Sequence, residues 1–556
     1  MTAWFRARLV LLALAAAACL GPGPSAAQAP PASAGQGALS AAESLLRRGR
    51  PQEAEPYARR AVEQAPQSAL AHNLLGTVFG LLERPAEAET EFRRALELEP
   101  GLVMARVNLG NLLQRGKRLD EAASEFEEAL KRDPGNGKAL YLLGEVRREQ
   151  GRFSEAADRF RAAGRVSQGV DRNIALLQYV SSALHAGRTE EALRAADDLA
   201  RTRPPDSRLL FNLGVALGDG RQFEPAARMF AQVDALRPND PEVLFNLGAA
   251  YVALERWREA AQAFARIADL NPKPADIHVR LGVIASKLGD HENAAIEFRH
   301  AVEREPQKAL HHYMLGWEYA QMHAWDSAAQ EYRRATELDA TQPTFFVGLG
   351  NALFRATQLP ASAKAYEQAA RLDPSIPNID YLIGYSYRAQ SMLDEAQKAF
   401  ERQIAAAPEH IEALANLGYI AVEQGRFPEA ETHLQNALAL SPNHAEARFD
   451  LGRCYGKQRR YEPAIREMLR VVQLSPEHAQ AHYQLFLFYS RTKQEAKAQA
   501  ELATFKKIEE LNVQVTNIQL TLDKARKRKN GAGAEEPAQP AGMGQPTTLP
   551  PPPGAF

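Results

Sequence analysis

Residues 416–442 read NLGYIAVEQGRFPEAETHLQNALALSP. Leu417, Ile420 and Ala421, with Leu414 just upstream, fall at helical spacing. Gly425 then supplies a stop, because glycine takes left-handed backbone angles without steric cost. Pro428 suits the first turn of a second helix, and Ala430, Leu434, Ala437 and Leu438 form its buried stripe. Pro442 ends that helix, since it lacks an amide hydrogen and drives the preceding residue out of the α region. The stretch is a helical hairpin, and it contains no reactive group.

The same pattern recurs along the chain. A glycine preceded by Leu or Ile stands at 76, 110, 144, 214, 248, 282, 316, 350, 384, 418 and 452. The interval is 34 residues, except for one gap of 70 that holds a degenerate unit with two inserted residues. Twelve residues after the glycine stands Ala, replaced only by Ser362. Sixteen after it stands a large apolar residue, from Phe92 through Tyr332 and Leu434 to Met468. Twenty-four after it stands Pro, broken only by Gln168 and Ala340. Small residues in the first two columns let helix backbones approach closely. Each hairpin leaves an apolar face that only a neighbouring hairpin can cover, so the units must stack.

This frame resembles the tetratricopeptide repeat family over roughly residues 35–512, with the order Leu-Gly, Ala, Phe, Ala, Pro. The resemblance implies an all-α solenoid of about 14 helix-turn-helix repeats wound into a right-handed superhelix. Residues 35–168 are expected to form an N-terminal block and 169–512 a C-terminal block, divided at the irregular GRVSQGVDRN (164–173). Residues 513–529 are expected to cap the final repeat, because Leu511, Val515, Ile518 and Leu522 make one helical stripe. The Pro/Gly-rich segment 530–556 is expected to be disordered, and 28–34 to be a flexible lead-in.

The first 27 residues have the layout of a secretory signal: Arg6 and Arg8, an apolar run from Leu9 to Leu20, then small residues up to Ala27. The expected location is therefore periplasmic or secreted. Lipidation of Cys19, giving an outer-membrane lipoprotein, is the second reading, although Ala16 stands where a lipobox places Leu. An uncleaved anchor is the third. Membrane association is expected only through Cys19 or a partner.

Formal net charge is −1 over 556 residues, which leaves no electrostatic footprint for nucleic acid. Metalloprotease, CxxC, phosphate-loop and nucleophile-elbow motifs are absent, so no enzyme activity and no cofactor is expected. DPGNGKAL (133–140) lacks the Ser or Thr after Lys138 that a phosphate loop needs. His278, His291, His300, His311, His312 and His323 crowd into two repeats and are expected to be solvated helix-surface groups rather than metal ligands.

The resemblance implies that the first helices of the repeats line a groove for protein partners. Asn108, Asn212, Asn246 and Asn416 stand two residues before the glycine, with Arg280 continuing the row. Amides so placed can hold an extended chain, as in the family's peptide-glycosylating enzymes, although Leu74, Leu142, Met314, Gly348 and Leu382 interrupt the row. Tyr313, Tyr381 and Phe449 stand three before the glycine, and Trp317, Tyr385 and Tyr419 one after it. With Arg453 and Asn416 they form the candidate partner-binding groove, between residues 313 and 453. The expected function is a non-catalytic scaffold in an envelope, secretion, pilus or polysaccharide-export assembly. Its alternatives are a receptor for an extended peptide or glycan, and a repeat subunit associated with a glycosyltransferase. The Lys and Arg clamp that some relatives use for carboxyl termini is not found.

Overall fold

The computed structural model describes residues 36–270 and 274–530. The signal segment with Cys19, the lead-in up to residue 34 and the tail from 531 lie outside the described residues. Twenty-eight helices, numbered α1 (Gln36–Arg47) to α28 (Glu495–Asn530) in chain order, pair into fourteen hairpins, and the described residues hold no strand. The chain is an all-α solenoid of helix-turn-helix repeats.

The glycine and large-residue columns explain each other. A Cβ built on Gly110 would come 2.7 Å from the Phe126 ring, on Gly214 2.7 Å from Phe230, and on Gly384 2.8 Å from Phe400. The large side chain of the second helix lies directly on the backbone of the first, so any side chain at the glycine would force the pair apart. Ala88, Ala122, Ala226 and Ala430, from the column twelve residues on, have no exposed surface.

Every hairpin turns the same way. The seventh residue after the repeat glycine, or its equivalent, has φ between 56 and 77° in all fourteen hairpins, but only Gly49, Gly151, Gly187, Gly289 and Gly425 are glycines there. Arg426 N donates to Ala421 O at 2.8 Å and Gly425 N to Val422 O at 3.3 Å, the paired bonds of a Schellman cap. The same six-to-one bond recurs from Arg84 to Phe79 at 2.9 Å and from Arg118 to Leu113 at 2.9 Å.

The described chain divides into two compact units, one ending at Asn271 and one beginning at Pro272. The boundary expected at 168/169 lies inside the core of the first unit. Phe160 and Ala157 share one apolar cluster with Leu177, Val180 and Leu213, and Gly164 lets Leu176 pack against the backbone. The inserted residues are absorbed by a longer helix α9 (Gly169–His185) of 17 residues, against 13 in most first helices.

At the other end, the expected cap does not form. Residues 513–529 continue α28, a helix of 36 residues, whereas its partner α27 (Ala479–Arg491) has 13. At 1.5 Å per residue α28 runs about 54 Å and overshoots α27, the helix it packs against among the described residues. Leu511, Val515, Ile518 and Leu522 are exposed accordingly.

The candidate partner-binding strip

The candidate residues divide by their place in the repeat. Positions three before the glycine pack inside their own hairpin against the large residue sixteen after it. Tyr313 lies 5.4 Å from Tyr332, Phe211 5.7 Å from Phe230, Phe245 5.9 Å from Phe264, and Tyr381 5.8 Å from Phe400 between ring centroids. Tyr313 is buried, sandwiched also by Phe345 at 4.9 Å, so it presents no face to a ligand. Trp317, four residues further along α17 (Ala309–Gln321), is half-buried.

Three consecutive first helices bring the rest together: α21 (Ile379–Ala389), α23 (Ile411–Glu423) and α25 (Ala445–Lys457). Arg388 stands over the Tyr385 ring at 5.6 Å and over the Tyr419 ring at 4.9 Å, and its guanidinium donates to Asn416 Oδ1. Arg453 flanks Tyr419 from the next helix at 5.8 Å and covers Phe449 at 5.9 Å. It donates to Asp450 at 2.9 Å and also to Glu423. Lys457 approaches Glu423 at 3.7 Å and donates to Val422 O at 3.2 Å. The result is a strip in which aromatic faces and guanidinium groups alternate. Each such stacking is worth about 0.5–2 kcal/mol, more as water is excluded.

Tyr419, Phe449, Tyr381 and Arg453 stay half-exposed, whereas Tyr385 and Asn416 are buried. Asn416 cannot serve as a free ladder amide, because Nδ2 donates to Glu412 O at 2.7 Å while Oδ1 takes Arg388. Asn246 likewise turns to Glu242 O of its own helix α13 (Pro241–Ala253) at 2.8 Å. Asn212, half-buried on α11 (Ser207–Asp219), lies with Asn246 in the first unit. Arg280, on α15 (Ala275–Lys287) of the second unit, donates to Asp276 at 3.0 Å.

Electrostatically the strip is balanced. Burial pushes the Asp450 carboxyl up to about 6 despite Arg453 beside it. Burial, the largest single influence, would also raise Glu423, but the hydrogen bonds and charges of Arg453 and Lys457 together outweigh it and hold that carboxyl below its ordinary value. Cys454, also on α25, is a buried free thiol whose pKa burial raises. Such an array is suited to stacking and hydrogen bonding.

Sequence reading missed Arg388, Asp450 and Glu423. Arg388 stands four after one glycine and Asn416 two before the next; Arg148 and Gln178 repeat that relation at 3.1 Å. The pairing becomes visible only when successive repeats are laid in register.

Only some of the crowded histidines are the solvated groups expected. His278, His311 and His312 are buried, while His300 and His323 are exposed. His312 Nδ1 lies 2.7 Å from Glu331 and its Nε2 lies 3.1 Å from Pro306 O. His72 and His482 bridge Glu91 and Pro66 O, and Glu501 and Pro476 O, in the same way. Arg106 and Arg448 occupy the equivalent place, reaching Glu125 at 2.9 Å and Glu467 at 2.6 Å. These side chains clamp the two helices of a hairpin to the turn that precedes it. Among the described residues no group of three His, Cys, Asp or Glu is placed to hold a metal ion.

A tetratricopeptide repeat model matches residues 39–103, 107–169, 245–309, 313–377, 381–435 and 416–479, together more than half of the chain. The chain belongs to the tetratricopeptide repeat family, whose members are in general non-catalytic scaffolds that bind protein partners. No curated protein matches it. Among solved structures it is similar to the Cut9–Hcn1 hetero-tetramer of the APC/C, at 16% identity, covering 85% of this chain and 94% of that one, with a TM-score of 0.33. YrrB, described as a TPR protein with an unusual peptide-binding site, matches at 21% identity over 33% of this chain and 95% of its own, with a TM-score of 0.30. The C-terminal part of a TPR protein from Cytophaga hutchinsonii matches at 18% identity over 43% and 99%, with a TM-score of 0.38.

Proposed function

We propose that this chain is an exported, non-catalytic scaffold that holds a protein partner on the strip formed by α21, α23 and α25. The partner belongs to an envelope, secretion, pilus or polysaccharide-export assembly. The observation that carries this reading is the half-exposed Tyr419, held between Arg388 and Arg453 on neighbouring helices. Aromatic rings and arginines fixed in place lose little entropy on binding and are the usual anchors of recognition surfaces. Export rests on the arrangement of residues 1–27, and a mature N-terminus within the first 30 residues is the expected result of protein sequencing. Near-zero net charge argues against nucleic acid as the ligand.

Crosslinking in the native envelope, followed by mass spectrometry, tests the partner. Tyr419→Ala combined with Arg453→Ala is expected to lower partner capture on the order of 10-fold or more. Unchanged capture by that double variant overturns the strip as the site. A second reading, an extended peptide or glycan as the ligand, is favoured by the partly exposed rings of Tyr419 and Phe449, since aromatic rings stack on sugars. Binding to a glycan array, lost in the same variant, would select it.

A further inference from the structure

The second half of α28 carries an apolar seam that nothing in the described chain covers. Leu511, Val515, Ile518 and Leu522 are 50, 51, 60 and 59% exposed. Their spacing of four, three and four places them on one helical face. At the chain's 24% charged residues, a segment of twelve would carry about three charges; residues 511–522 carry none. A helix end meant only for solvent does not discard its charges while presenting four large apolar side chains.

The seam also reads the same in both directions. Leucines stand at its two ends, β-branched Val515 and Ile518 at its centre, and the spacing is symmetric. Turned end for end by a two-fold axis between Thr516 and Asn517, it meets itself with Leu511 against Leu522 of the second copy and Val515 against Ile518. Such self-complementarity is the requirement of an isologous interface. The flanking residues Asn512, Gln514, Gln519 and Thr521 are neutral and polar, so no like charges oppose the pairing within the seam. Before the seam stand Lys506, Lys507, Glu509 and Glu510, and after it the basic DKARKRK. In that register Glu509 falls opposite Lys524 and Lys507 opposite Arg526, whereas a parallel in-register pair sets every one of these charges against its like.

We infer that this end of α28 pairs antiparallel with α28 of a second copy of the chain, making the protein a dimer. Sedimentation velocity on the full chain is expected to show a dimer that dissociates on dilution. Ile518→Asp and Val515→Asp, both at exposed positions, should each weaken self-association on the order of 100-fold with helicity unchanged by circular dichroism. Val513, also exposed but off the seam, provides the control: Val513→Asp should leave the dimer intact. In a background with Cys19→Ser, Leu511→Cys mixed with Leu522→Cys should crosslink on oxidation, while each alone should not. A monomer at every concentration overturns the inference. So does a Val513→Asp defect equal to that of Ile518→Asp, or crosslinking of Leu511→Cys with itself.

Discussion

Gly418 has no room for a methyl group, because Leu434 of the partner helix lies directly on its backbone and a Cβ there would run into Leu434 Cγ. Gly418→Ala is therefore expected to destabilise the protein by about 1–3 kcal/mol, the usual cost of forcing an extra carbon into a packed core. Gly80, which is also helical but faces nothing within 4 Å, gives the contrast. Gly80→Ala should stabilise by up to about 1 kcal/mol through helix propensity alone. Chemical denaturation of both variants checks the pair.

The hairpin turns store strain that substitution can release. Lys117, His323 and Thr357 have φ of 60, 59 and 59°, a conformation that costs an L-residue about 1–2 kcal/mol. His323→Gly and Thr357→Gly should each raise stability by up to about 1 kcal/mol, offset in part by the added freedom of the unfolded chain. Gly425→Ala, at φ 75°, should do the reverse. Shifts in denaturation midpoint with unchanged slope are the expected record.

The His312 clamp makes a prediction about chemistry rather than size. Arg448 does the same work in another repeat, spanning Pro442 O at 2.8 Å and Glu467 at 2.6 Å. His312→Arg should thus be tolerated within about 1 kcal/mol, whereas His312→Leu leaves Glu331 and a turn carbonyl without their partner and should cost about 1–3 kcal/mol. Thermal unfolding distinguishes the two, and equal losses would show that imidazole shape alone matters.

Asp450 predicts a pH dependence. Burial raises its pKa from 3.8 to about 6, so the folded state binds the proton more tightly than the unfolded one. The stability tied to protonation is complete below about pH 4 and is lost as the pH rises to about 6. Asp450→Asn, which stays neutral, should gain on the wild type across that window by up to about 2–3 kcal/mol, with a constant difference above it. Denaturation at a series of pH values from 3.5 to 7.5, roughly, measures it. A wild-type protein that gains on the variant through the same window would refute the burial argument.

The hairpin itself was written in the sequence. Its periodicity, its Gly, Ala and Pro columns and the count of fourteen follow from spacings within a helix and from residues with one conformational meaning. Exposure of the seam on α28 was not legible, because the apolar pattern of a helix does not say whether a neighbour is long enough to cover it. Nor was the burial of Tyr313 and Tyr385, since aromatic residues in one helical stripe look alike until packing sorts the core from the rim.

What the sequence determined alone is the repeating unit and its length, because those rest on contacts three or four residues apart. What the tertiary structure decided is which residue of one helix meets which of the next. Arg388 meets Asn416, and His312 meets Glu331, across 28 and 19 residues. The left-handed turn at Lys117 and His323 was likewise decided there, where closing the hairpin overrides the preference of the residue. Local spacing acts through covalent geometry and can be read from the chain; contacts between hairpins depend on the register in which they stack, and stacking is a property of the folded array.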